Sequence, residues 1–196
     1  MCVFLPRPDM KIALQTIYAV FIIILLGFSV ASTANESIDF QNIEHDVYLQ
    51  PWQTYQKIIG LESAAQSYDE LTYLWWLLRK AQTENFIYFY DDFSHTVEQA
   101  NGLVSSTTPL AITARLYLYQ GLIHRRQGNY KLSDAALTKG LMQAKEAKLS
   151  RLYIYTKQEL AYTKTLTELF DTSLVDIQEA YVEAFALKDQ FLIASI

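Results

Sequence analysis

The chain has a single cysteine, Cys2, and it lies ahead of an apolar run rather than after one. That position excludes a lipid-bearing cysteine behind a leader. The lack of any other excludes a disulfide framework, a cysteine nucleophile and thiolate metal sites in the rest of the chain. Glycine and proline are also scarce, at six and four of 196 residues, and no proline follows Pro109. So few glycines leave no Gly-rich phosphate loop, and long proline-free stretches with helical periodicity favour an all-α chain. Basic excess is missing too. The formal net charge is -5, and residues 35–110 hold eleven acids against three bases, Lys57, Arg79 and Lys80. Nucleic acid is therefore a poor candidate partner.

What is present begins with the N-terminus. Arg7 and Lys11 precede a nearly unbroken apolar run over residues 17–26, and Ser29, Ala31, Ser32 and Ala34 follow it. A positive end, a short apolar run and small residues at its exit read as a secretory signal peptide in residues 1–34. The rival is an uncleaved anchor, although the run falls short of the roughly 20 residues a spanning helix needs. Either way the remainder is expected outside the cytoplasm, periplasmic or exported, with the membrane reached through this segment or through a later helix. Met10-Lys11 makes a more natural start for such a leader than Met1. Residues 35–66 are expected to be a linker and a first helix: residues 35–50 read as a linker or a short helix, and a helix opens at Gln50-Pro51 and stops at Gly60. Repeats are expected over 67–196. Ser67-Tyr68-Asp69-Glu70 has the form of a capping box for a helix from Leu71 to about Gln82. The next helix is expected over about 86–100. Later caps are expected at Ser150 and Asp171.

Residues 114–147 organise the chain. An apolar and aromatic run leads into Arg125, Arg126, Gln127, Gly128, Asn129 and Tyr130, and a second amphipathic run follows. Two helices folded back on each other at Gly128 produce this pattern. Gly121 is the small residue of the first helix. Leu137 is the large residue of the second, with Gly140-Leu141 after it. A step of 40 residues carries the set forward to Ala161, Phe170, Ile177 and Ala180. The same step carries it back to Ala81, Tyr90, Val97 and Ala100. Small residues let helix backbones cross closely, and large ones fill the space beside them.

This pattern resembles the tetratricopeptide repeat, a helix-turn-helix unit of about 34 residues. Departures are Ser133 where alanine is usual, His124 where tyrosine is usual, no closing proline, and a step of 40 that exceeds the family's interval, so the repeats are tetratricopeptide-like. The fold class so implied is all-α, with antiparallel helix-turn-helix repeats stacked as a short right-handed α-solenoid. In that family the first helices line a concave surface that holds an extended peptide. Carried over, this places Trp75 and Gln82 on the surface in one unit, and Arg115, Leu118, Leu122, Arg125 and Arg126 in the next. Tyr155, Gln158 and Tyr162 join them from the third. A peptide or protein ligand is the implied partner, with no cofactor. The plan of leader plus repeats is similar to the periplasmic sensory front of some bacterial membrane-bound diguanylate cyclases. The final residues, 188–196, read as the start of a further unit, so a longer protein is expected. The catalytic signature of the cyclase is absent from this chain, which is not expected to be an enzyme.

Two other readings stand beside this one. Asp91, Asp92 and His95 form the densest polar cluster, and Asp91 and His95 share a helix face, as an envelope enzyme or metal site would require. No third ligand is apparent nearby, and acids at a helix start suit the macrodipole. The third reading is a purely structural scaffold.

Overall fold

The computed structural model describes residues 40–167 and 169–195. The expected leader lies outside the described residues. Ten helices and no strands are found among those described: α1 (Phe40–Leu49), α2 (Pro51–Gly60), α3 (Glu62–Ala65), α4 (Glu70–Phe86), α5 (Tyr90–Gly102), α6 (Leu110–Arg126), α7 (Tyr130–Glu146), α8 (Ser150–Leu166), α9 (Phe170–Ala186) and α10 (Gln190–Ser195). None is long and apolar enough to cross a membrane.

The first helices of the units open at Glu70, Leu110, Ser150 and Gln190, and the second helices at Tyr90, Tyr130 and Phe170. Both series advance by 40 residues, the interval expected from the small and large positions. Each helix packs on the next in chain order, α4 on α5, α6 on α7, α7 on α8 and α8 on α9. The architecture is the helical-repeat solenoid that the pattern predicts.

The turns repeat on a half step of 20. Tyr88, Gly128, Lys148 and Lys188 all adopt a left-handed backbone, with φ of 65°, 75°, 56° and 55°. In each case the next amide reaches back five residues: Phe89 N–H to Glu84 O, Asn129 to His124, Leu149 to Ala144 and Asp189 to Ala184, at 2.8–3.3 Å. The left-handed residue itself reaches back three, as from Gly128 to Arg125 at 3.0 Å. This paired bonding satisfies the last carbonyls of each helix and reverses the chain in three residues. Glycine takes such a conformation freely, but three of these four turns force it on a residue bearing a Cβ.

The small residues are needed where helices cross. A Cβ on Gly121 would lie 2.5 Å from Leu137 Cγ, and one on Gly140 would lie 3.1 Å from the Ala114 carbonyl. Ala81, Ala161, Ala100 and Ala180 are buried at the corresponding positions. Leu137 is fully buried, and Val97 nearly so. Ile177 is half-buried, and Phe170, at the place of Tyr130, is exposed. Bulky Phe93 fills the first unit where Ser133 and Ser173 stand in the others. Ser133 faces Thr163 at 3.3 Å, and Ser173 Oγ donates to the Ala161 carbonyl at 2.9 Å. The outer side of α9 leaves Leu174, Val182 and Phe185 exposed.

Several helix starts differ from expectation. Asp69, not Ser67, caps α4, its carboxylate accepting from the amides of Leu71 and Thr72 at 3.1 Å each. Ser67 Oγ instead donates to the Ala64 carbonyl at 2.7 Å, because α3 turns it backwards. Phe86 ends α4 rather than opening α5, since the left-handed turn falls at Tyr88. Ser150 and Asp171 lie inside the first turns of α8 and α9, with no side-chain cap on either helix.

Two stability outcomes are expected in urea denaturation. Lys148→Gly and Lys188→Gly each stabilise by about 0.5 kcal/mol, whereas Gly128→Ala costs about 1 kcal/mol. Gly121→Ala costs about 1–3 kcal/mol through overpacking. Adding Leu137→Val recovers part of that loss, because the equivalent pair in the first unit is Ala81 and Val97.

Candidate functional site

Helix α1 lies across the inner face made by the first helices. Ile43, Glu44, Val47 and Tyr48 recur on one side of it, and Val47 is fully buried. Tyr48 touches both ends of the array. Its ring is 4.8 Å from Phe86 on α4 and 5.5 Å from Phe191 on α10. The first helices therefore curl round α1 while still stacking in sequence. The surface expected to hold an extended peptide is in large part occupied by a helix of the chain itself. His45 and Asp46 also lie on this helix. His45 meets Phe191 edge-on at 5.4 Å, and Asp46 pairs with Lys57 at 3.3 Å.

Glu44 is the fixed point. Its Oε2 accepts from Arg79 Nη2 on α4 and, at 2.9 Å, from Arg115 Nη2 on α6. Both guanidiniums lie over the Trp75 ring, at 5.6 and 5.1 Å. Gln82 accepts from Arg79 Nη1 at 2.8 Å, and the Ala111 carbonyl accepts from Arg115 Nη1 at 3.1 Å. Two nearly buried arginines thus meet one carboxylate. Burial alone would raise the Glu44 carboxyl, but the charges and hydrogen bonds of Arg79 and Arg115 outweigh it and hold the group below the usual glutamate range. Burial lowers the Arg79 guanidinium, and Glu44 partly offsets that. Arg151 on α8 lies 4.8 Å over the Tyr48 ring and pairs with Asp189 at 3.0 Å.

Beside α1 the face stays open. A cavity of about 600 Å³ is lined by Arg125, Tyr155, Gln158, Glu159 and Tyr162, with Tyr48, Phe86 and Phe191 at its α1 side. Arg125 pairs with Glu159 at 2.5 Å and lies 4.7 Å over the exposed Tyr162 ring. Burial, and then Glu159, push the Tyr155 phenol well up. Gln158 Nε2 donates to the Leu192 carbonyl at 3.1 Å.

The expected surface residues therefore fall into three groups. Trp75, Gln82 and Arg115 gather round Glu44. Arg125, Tyr155, Gln158 and Tyr162 line the cavity. Leu118 and Leu122 are buried in the core, Leu118 also lining the small cavity beside Glu44, and Arg126 donates to Asn85 on α4 and lies 3.9 Å over the Tyr90 ring on α5. The residues that sequence reasoning passed over are Glu44, Tyr48, Arg79 and Arg151. A signal for the two arginines existed. All five arginines after Arg7 stand on the first helices α4, α6 and α8, and the second helices carry no arginine. Arginine is the residue suited to planar recognition of carboxylates.

The alternative cluster does not assemble. Asp91, Asp92 and His95 are exposed on α5, with a His95 ring nitrogen 3.2 Å from Gln99 Nε2. No group of three metal-ligating side chains occurs among the described residues.

No family model, curated protein or solved structure matches this chain.

Removing the Glu44 charge leaves two buried guanidiniums uncompensated. Glu44→Gln should weaken α1 docking by about 2 kcal/mol at pH 7, read from amide exchange over residues 43–49. The folded-state value lies below the ordinary 4.5, so the stabilisation is complete above pH 4.5 and fades as the pH falls further. The difference between wild type and variant should shrink in the same interval.

Proposed function

We propose that the chain is an exported helical-repeat module that binds a peptide or protein segment on its inner face. The observation that carries this reading is α1 itself. A ten-residue helical segment lies on that face, with its carboxylate between two arginines and its tyrosine among aromatic rings. The face is thus suited in shape and charge to a polypeptide, and the cavity beside α1 offers Arg125, Tyr155 and Tyr162 to a second segment. Mixed arginine and aromatic surfaces serve as binding anchors.

The wider reading is the sensory front part of a longer membrane-bound signalling protein, such as a diguanylate cyclase. It rests on the layout of apolar N-terminal run and repeats. The apolar outer side of α9, with Leu174, Val182 and Phe185 exposed, also suits a surface that a further repeat would cover.

A photo-crosslinking residue at Tyr162 tests the binding reading. It should capture one polypeptide from an envelope extract, and capture should fall at least tenfold with Arg125→Glu. The same probe at Met142, on the exposed side of α7, should capture nothing comparable. Equal capture at both positions, or none at Tyr162, would count against the module.

A further inference from the structure

Glu44 does not saturate the arginine pair that holds it. It presents a single oxygen, Oε2, to both guanidiniums. Arg79 Nε is buried and has no hydrogen-bond partner among the described residues. Arg79 itself is 3% exposed. A carboxylate placed square to a guanidinium makes two parallel bonds, and here the clamp makes one to each arginine. The positive charge at this point also exceeds the negative, two guanidiniums to one carboxylate, and Arg151 adds a third with Asp189 as its counter-ion.

The helix carrying Glu44 is held lightly for its length. Of α1, only Val47 is fully buried among the residues whose side chains are described, while His45 and Leu49 are exposed. Ten residues are too few for a stable helix away from a surface. Its tether is different. Gln50 alone separates α1 from α2, with φ -142° and ψ 63°. Helix α2 is anchored on α4, where Trp76 Nε1 donates to the Ile58 carbonyl at 3.1 Å. Rotation about Gln50 can therefore take α1 off the inner face while the anchor of α2 on α4 stays in place, at the loss of the Asp46–Lys57 pair.

We infer that α1 is an exchangeable occupant, and that the partner of this face is an acidic amphipathic helix placing a carboxylate between Arg79 and Arg115. The pattern of α1 defines what the partner presents. An aliphatic residue is followed at once by glutamate, and an aliphatic and an aromatic residue come one turn later, as in Ile43, Glu44, Val47 and Tyr48. The partner succeeds by using the donors that Glu44 leaves free. This inference rests on the inner face being a polypeptide-binding surface, and it specifies the ligand class and the regulation of that surface. Because α1 is tethered, it competes at an effective concentration of about millimolar, so a free segment binds well only when α1 is weakened.

The experiment uses the full chain and a fluorescent synthetic peptide of residues 40–51. Binding is followed by anisotropy, and folding of each variant by circular dichroism. Glu44→Lys and the milder Glu44→Gln chains should bind the peptide at least tenfold more tightly than the wild-type chain. A peptide carrying Glu44→Lys should not bind either variant, and Arg115→Ala in the Glu44→Gln chain should abolish the gain. Equal affinity for wild-type and variant chains, or equal binding of the two peptides, overturns the exchange. A measurement on the unaltered protein stands beside these in case a variant fails to fold. Amides of residues 43–49 should exchange with solvent at least a hundredfold faster than those in the middle of α6 and α7, and protection equal to α6 and α7 makes α1 a fixed part of the fold. Failure here with successful Tyr162 capture leaves the cavity as the binding site, and the reverse result leaves α1 exchange without a partner in the cavity.

Discussion

Helices α4, α6, α7 and α9 each end in a three-residue reversal, and those reversals keep the units in step. The reversal is paid for in backbone strain at Tyr88, Lys148 and Lys188, and only Gly128 meets it freely. In return the last carbonyls are bonded and the following helix starts at a fixed rotation. The 40-residue interval then brings matching positions to each crossing, Gly121 meeting Leu137, with Ala81 and Ala161 buried at the corresponding small positions. Crossing distance is decided there by one methylene or less, because packed interiors tolerate little change in volume.

Stacking on this interval puts the first helices side by side on one surface. Their arginines then converge although they are far apart in the chain, Arg79 and Arg115 meeting one carboxylate from residue 44. The convergence is costly, since guanidiniums lose hydration when buried, and it persists because Glu44, Gln82, the Ala111 carbonyl and the Trp75 ring supply compensating contacts. A structural core would gain as much from apolar residues at these positions. Charge arranged for a carboxylate is the feature of the inner face on which the proposed recognition of a polypeptide rests.

Much of the fold could be read from residue order. Gly121, Gly128 and Leu137 gave the hairpin, and the 40-residue step located its neighbours, because close crossing restricts side-chain size wherever it occurs. Helix starts were read less well. Ser67 has the composition of a cap, but α3 directs its hydroxyl to Ala64, leaving Asp69 to do the capping. Phe86 looked like the beginning of a helix because nothing in Ile87-Tyr88-Phe89 announces a left-handed turn. The candidate site was half legible. Trp75, Gln82, Arg115, Arg125, Tyr155, Gln158 and Tyr162 stand on the inner face, but Leu118 and Leu122 are buried within the core.

Sequence alone determined the helical class, the interval and the position of the central turn, since each depends on interactions within a few residues or on a repeated size constraint. It also confined arginine to the first helices of the units. Only the tertiary structure decided that residues 40–49 are a helix rather than a linker, and that they lie within the array. Nothing local to Ile43, Glu44, Val47 and Tyr48 names their partners, because those partners are contributed by four helices spread from residue 79 to residue 191.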